Sequence, residues 1–266
     1  MWLAMKRFIP FMKNDPEVAV LRLDGLIAAG RGLNDNGIGP VLQKAFGKRR
    51  SAVALVINSP GGSPVQSALI GARIRRLSEE KEIPVYAFVE DVAASGGYWL
   101  AASADEIYVD ASSVIGSIGV ISSGFGLHEV AAKVGIERRV HTAGKSKSMM
   151  DPFRPEKAAD VKRLKVLLED IHGTFIDHVQ IRRGVKLADD DKLFTGEIWV
   201  GQKGVEVGLA DALGHLVPTM REKFGDKVRF RRFGQRRSVL SRLGARLLGD
   251  LNHSVEERAA YAQFGL

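Results

Sequence analysis

Two stretches of this sequence follow one plan: an apolar run of strand length, a turn with paired glycines, then the start of a helix. The first is Ala52 to Ile57, followed by Asn58-Ser59-Pro60-Gly61-Gly62-Ser63-Pro64. The second is Ile83 to Val89, followed by Val92-Ala93-Ala94-Ser95-Gly96-Gly97-Tyr98. A strand that is apolar along its whole length is buried on both faces, as in a sheet covered by helices. Its repetition with a turn and a helix predicts a layered α/β fold in which both turns open on the same side of the sheet.

The rest of the chain fits around this pair. Val18 to Leu23, Glu106 to Val109 and Arg138 to Thr142 read as further strands, and Gly30 to Gly39 reads as a loop. Helices are expected over Val41 to Phe46, about Pro64 to Glu79, from the second turn to about Ala104, and over His128 to Val134. Ser63 and Gln66 make a capping box with Pro64 at the first helical position. Pro155 to Arg183 should be one long helix, with Leu164, Leu167, Leu168, Ile171, Phe175, Ile176 and Val179 at helical spacing.

Composition narrows the chemistry. The chain has no cysteine, which excludes disulfides, thiolate zinc sites and cysteine nucleophiles. Its net charge of +8 is carried by residues 221–247, where ten Lys and Arg face only Glu222 and Asp226; the remainder is neutral in sum. Such a basic segment can meet anionic lipid, act as a lid or an oligomer contact, or be solvated. Nucleic acid is not an expected partner, because the basic residues are not interleaved with base-stacking aromatics. The longest uncharged run, Ala111 to Leu127, is broken by Gly and Ser, and Met1 to Met12 lacks a clean apolar core. With neither a transmembrane helix nor a secretory signal seen, a cytoplasmic or peripherally membrane-associated location is expected.

Ser95 begins a helix beside unpaired N–H groups and the positive end of a helix dipole, which favour developing negative charge. It reads either as a nucleophile or as a helix cap. The N–H groups left bare by Gly61-Gly62 can bind an anion or an oxyanion. No Gly-x-Ser-x-Gly elbow surrounds Ser95, since Ala93 occupies the first glycine position. A buried lysine could deprotonate it, because desolvation disfavours the ammonium form. Lys145 and Lys147 both sit in small and apolar company after the expected strand at Arg138 to Thr142 and could point inward. Gly144-Lys145-Ser146 is not a phosphate-binding loop, because Arg139 stands where the earlier glycine belongs. The six histidines are too scattered to suggest a metal site, and no cofactor is expected.

Asn58-Ser59-Pro60-Gly61-Gly62, Ala93 to Tyr98, Gly116-Ser117-Ile118-Gly119-Val120 and Lys147 to Phe153 together resemble the signal peptide peptidase A (protease IV, SohB-like) family of Ser-Lys peptidases, in its short form. The resemblance spans about Val18 to Leu213. It implies a Clp protease/crotonase-like layered fold of repeated strand-strand-helix units with a single catalytic domain. It also implies Ser95 as nucleophile, Lys147 as neutral general base, Ser117 as the hydroxyl orienting that lysine, and the N–H groups of Gly61 and Gly96 as the oxyanion hole, with Gly62 as the fallback. The implied partners are apolar peptides, such as cleaved signal peptides or membrane-associated proteins, and further copies of the chain in a homo-oligomer. An anionic membrane surface is a further possible partner through the basic segment. The rival readings are a crotonase-like acyl-CoA enzyme and an inactive scaffold that binds membrane proteins. The expected division is an amphipathic or frayed segment at 1–17, a peptidase domain at 18–220, and a basic tail at 221–266 with an amphipathic helix through Val239, Leu240, Leu243, Leu247 and Leu248.

Overall fold

The computed structural model describes residues 15–30, 32–47, 49–144, 146–234 and 257–266. In chain order the elements are β1 (Glu17–Asp24), α1 (Asp35–Ala45), β2 (Ala52–Ser59), α2 (Pro64–Lys81), β3 (Val85–Ala94), α3 (Gly96–Ala102), β4 (Glu106–Val109) and β5 (Val114–Gly116). They continue with α4 (His128–Lys133), α5 (Ala158–Arg183), β6 (Ile198–Val200), α6 (Gln202–Glu206), β7 (Ala212–Leu213), α7 (Leu216–Phe224) and β8 (Arg229–Phe233). One sheet takes all eight strands in the order β6-β5-β3-β2-β1-β8, with β4 pairing to β3 and β7 to β4. Among the described residues only the β5–β6 pair is antiparallel. The expected layered α/β fold is thus what the chain adopts.

Alternation along β1 shows how the two layers form. Ala19, Leu21 and Leu23 enter the main core beneath α1, α2 and α3, whereas Val18 and Val20 join a second cluster with Phe88, Tyr108 and Met220 beneath α7. Both faces of the strand are buried, which accounts for the continuous apolar runs. At about 1.5–3 kcal/mol for each fully buried large aliphatic side chain, these two clusters are the main drive for folding.

Strand β3 is divided. Its first half pairs with β4 through Tyr86 to Val89, and its second half pairs with β5 through Val92 to Ala94. The β2–β3 register shifts between Ile57 and Ser59, so that Ser59 faces Ala93 and the two glycine turns emerge side by side.

Several elements depart from the sequence reading. Helix α1 begins at Asp35, inside the expected loop, because the Asn34 side chain accepts a hydrogen bond from Gly37 N at 2.9 Å and Pro40 is accommodated within the helix. Half of the capping box forms: Ser63 Oγ accepts from Gln66 N, but Gln66 Oε1 accepts from Asp35 N at 3.0 Å and ties α2 to α1 instead. The expected strand at Arg138 to Thr142 is absent, and these residues are mostly exposed with no strand beside them. Only Phe175, Val179 and Arg183 of α5 are buried; Val166 and Leu167, in its first half, are nearly half exposed. The 220 boundary falls inside α7, and the Arg-rich Arg229–Phe233 is a strand of the sheet rather than tail. The N-terminal segment before residue 15, Lys145 and the expected amphipathic helix through Leu248 lie outside the described residues.

Candidate active site

The parallel strands β1, β2 and β3 all finish at one edge of the sheet, and the chain turns there form a cleft of about 530 Å³. Gly61, Gly62, Ser95, Gly96 and Ser117 line it. Among the described residues that line it, none is Asp, Glu, Lys or Arg, and the apolar contribution comes from side chains such as Leu26, Ile121, Ile171 and Phe175.

Ser95 stands at the cap position of α3, yet its hydroxyl makes no capping hydrogen bond. Its backbone has φ 51° and ψ −122°, a region costly for a residue with a Cβ, on the order of 1–3 kcal/mol. The turn is fixed from both sides: Ser95 N donates to Gly116 O at 2.9 Å, and Ser95 O accepts from Trp99 N at 3.0 Å. Ser95 is half-buried, and among the described residues its hydroxyl makes no hydrogen bond, so it does not act as the cap of α3.

The facing turn can only be glycine. At Gly61, φ is +101°, and a Cβ would lie 2.8 Å from Ala94 O, Gly96 N and Ser95 Cβ. At Gly62 a Cβ would meet Ile27 O at 2.1 Å. Backbone and nucleophile therefore approach with no room for a side chain. Gly61 N already donates to Ser59 Oγ at 3.2 Å, and Ser59 Oγ in turn donates to Gly25 O at 2.6 Å. Gly62 N makes no hydrogen bond among the described residues, and it lies 3.4 Å from the position of a Cβ on Gly96. Gly96 N, at the first helical position, has no partner within its own helix. Among the described residues the N–H groups of Gly62 and Gly96 are thus without a hydrogen bond, whereas that of Gly61, the other expected donor, is engaged by Ser59 Oγ.

Ser117 lies in the same cleft, also at positive φ (51°), with its N–H donating to Glu197 O at 2.8 Å and its carbonyl accepting from Gly119 N at 2.9 Å. Lys147 does not join it. It is exposed, in a turn where its N–H reaches Gly144 O at 3.3 Å, and it is not among the residues lining the cleft. The inward orientation expected of Lys147 is not the one observed. The following Asp151 carboxylate accepts from Phe153 N and from Arg138 Nε, which hold it below the usual carboxylate range.

Helix α5 supplies residues that the sequence did not single out. His172 lines the cleft and its Nε2–H donates to Ile118 O at 2.9 Å. Phe175 stacks on Trp99 at 5.2 Å. His178 stacks on the same ring at 4.4 Å, and its Nε2–H donates to Trp99 O at 3.1 Å. Arg182 donates to Ala102 O and Ala104 O. One helix stripe thus splints α3, the helix that Ser95 begins, to the Ser117 segment. Burial pushes the His178 imidazole down to about 4, with the nearby Arg182 charge acting in the same direction, so the ring is neutral and the donating tautomer is retained. Of this stripe, only Phe175 and Val179 belong to the helical periodicity read from the sequence; His172, His178 and Arg182 do not.

Comparison with known proteins decides the family. The model of "Peptidase family S49" matches residues 78–224, more than half of the chain. The chain belongs to peptidase family S49. Among curated relatives of this S49 member, a Na(+)/H(+) antiporter NhaA of Brucella melitensis is 44% identical over 98% of this chain and 39% of its own length. The chloroplastic serine protease SPPA of Arabidopsis thaliana is 30% identical over 75% of this chain and 31% of its own. The chain therefore spans well under half the length of these two relatives. The solved structure of a mutant form of 1510-N, a membrane-bound stomatin-specific protease, superposes with a TM-score of 0.50, covering 83% of this chain and 99% of that one at 13% identity. That likeness concerns the fold alone. Among the described residues, no helix is long and apolar enough to cross a membrane.

Proposed function

We propose that this S49 member is a serine endopeptidase in which Ser95 Oγ attacks the scissile carbonyl and Lys147, as a neutral amine, takes its proton and returns it to the leaving amine. The N–H groups of Gly62 and Gly96 hold the developing oxyanion, and each such donor contributes roughly 3 kcal/mol to transition-state stabilisation. Ser117 orients the lysine. The observation that carries this reading is Ser95 itself, a strained serine that shares its cleft with two glycine turns and whose hydroxyl, among the described residues, makes no hydrogen bond.

The substrates are apolar peptides, among them cleaved signal peptides or segments of membrane-associated proteins. The uncharged lining of the cleft supports this, since an apolar side chain enters it without desolvating an ion. Work beside a membrane is supported by the basic residues 221–247 and by the similarity to a relative named for a membrane antiporter.

Lys147 reaches Ser95 when the segment 121–154 closes over the cleft. That segment exposes Ile121, Phe125, Val134 and Ile136 at 61% or more. Burying these side chains between copies would stabilise a closed arrangement, which connects the dyad to the homo-oligomer. The test is hydrolysis of a quenched apolar peptide by the intact chain and by Ser95→Ala and Lys147→Ala variants. Near-normal turnover by Lys147→Ala would remove the dyad, and coenzyme A binding without labelling of Ser95 by a serine-directed probe would favour acyl-CoA chemistry.

A further inference from the structure

Residues 257–266 are distant in sequence from the catalytic turns, yet they lie against them. Residues 257–262 are helical and the chain then turns back, with Phe264 N donating to Tyr261 O at 2.9 Å. Two sets of side chains emerge from this short segment. Tyr261 and Phe264 pack on Val92 and Ala94 of β3 and on Val114 of β5. Ala260, Gln263 and Phe264 line the cleft that contains Ser95. Phe264 belongs to both sets, so the side chain that seats the segment also shapes the cavity.

The seat is specific. Ala94 directly precedes Ser95, so wall and nucleophile rest on the same strand end. Tyr261 Oη donates to Asn58 O at 2.7 Å, two residues before Pro60-Gly61, which ties the segment to the strand feeding the other glycine turn. Burial, followed by the charges of Asp24 and Glu257, pushes that phenol up to about 12, so it stays a neutral donor. Gly25, at the end of β1, also lies beside the segment: its φ is +81°, and the Glu257 carboxylate reaches the space where a Cβ would stand. The ends of β1, β2 and β3 therefore all contribute to the seat, as they do to the site.

We propose that residues 257–266 are a substrate-selecting wall of the cleft, in which Phe264 and Gln263 limit the size of the side chain accepted beside Ser95. The wall's role in selection rests on the peptidase reading. Phe264 and Gln263, neither of them charged, are part of the cavity's lining; in this proposal a compact apolar group is admitted and a bulkier one meets the Phe264 ring. Selection by a wall of this kind acts through volume, and a change of a few methylenes moves discrimination by about one order of magnitude.

The experiment measures the rate of covalent labelling of Ser95 by two alkyl fluorophosphonates, one with a short chain and one with a bulky branched chain. Each is applied to the intact chain, to Phe264→Ala, to Phe264→Trp and to a chain ending at residue 256. The expected result is a bulky-to-short rate ratio that rises about tenfold in Phe264→Ala and in the shortened chain, and falls in Phe264→Trp. If the shortened chain does not fold, the two Phe264 variants still decide the matter in opposite directions. Labelling of Ser95 with an unchanged ratio in both would overturn the wall while leaving the peptidase reading intact. No labelling of Ser95 in any chain would overturn the peptidase reading and this inference with it.

Discussion

The two halves of the proposed dyad sit in opposite surroundings. Ser95 is packed between two glycine turns, on a strand whose preceding residues Val92, Ala93 and Ala94 are fully buried, and every direction around its backbone is fixed by a bond or by close contact. Lys147 sits in an exposed turn, on a segment whose apolar side chains face outward. One half of the site is therefore built by the folding of a single chain, and the other is presented to whatever closes over it. In the proposed mechanism the Ser95 side is therefore preorganised, whereas Lys147 is brought in by a second step.

The sharpest way to test the contrast is to remove each half. Ser95→Ala should reduce peptide hydrolysis by a factor on the order of 10⁶ without loss of the folded state, followed by peptide turnover and circular dichroism. Lys147→Ala should cost roughly 10²–10⁴-fold in kcat, and should leave the thermal midpoint unmoved because its side chain is exposed. A large stability loss in Lys147→Ala would show that the lysine is already packed, and would erase the contrast.

Two glycines of nearly the same φ put the difference on an energy scale. Gly61 and Gly144 have φ of 101° and 99°, but a Cβ at Gly61 strikes three atoms of the nucleophile turn whereas one at Gly144 meets nothing within 4 Å. Denaturant titration should therefore show Gly61→Ala losing about 3 kcal/mol or more and Gly144→Ala only about 1 kcal/mol, the cost of the backbone alone. Equal losses would mean that the two regions are equally constrained.

Acid should loosen the preorganised half first. The His178 ring titrates near 6.5 when unfolded and about 4 when folded. Above pH 6.5 neither state binds the proton and stability is flat with respect to this group. Below 6.5 the unfolded chain takes up the proton first, so stability falls down to about pH 4, by on the order of 3 kcal/mol over the full interval. His178→Gln, which retains a donor for Trp99 O, should flatten that slope in thermal melts from pH 7 to 4. Phe125→Ser, in the exposed segment, should likewise leave the fold nearly unchanged, within about 0.5 kcal/mol. Its readout is a lower mass by light scattering, and an unchanged mass would dissociate this segment from assembly.

What was legible in the sequence follows the same division. The glycine turns, Ser95 and the buried strands could be read because local rules fix them: apolar runs, paired glycines, and a proline after a capping serine; Ser117 came only from the family resemblance. Helix α1 was harder, since Gly37, Gly39 and Pro40 argue for a loop, and only the Asn34 cap and packing of Ile38 and Leu42 decide otherwise. Strand β8 was obscured by its arginines, which an edge strand tolerates by pointing them to solvent. The apparent strand at Arg138 to Thr142 has suitable residues but no neighbour to pair with. The position of Lys147, the donors on α5 and the wall at 257–266 depend on contacts between distant segments, for which a single sequence carries no local signal.

The sheet's connectivity has a consequence for how the chain is made. β1 lies between β2 and β8, and its pairing with β8 joins Glu17–Asp24 to Arg229–Phe233, more than 200 residues later. During synthesis β1 and β2 can pair early, but the outer edge of β1 stays an open row of backbone donors and acceptors until residue 233 has emerged. An apolar edge in that condition is a template for pairing with another nascent chain. Completion of this fold is thus a late event, and chains stalled before β8 should be the ones that require a chaperone.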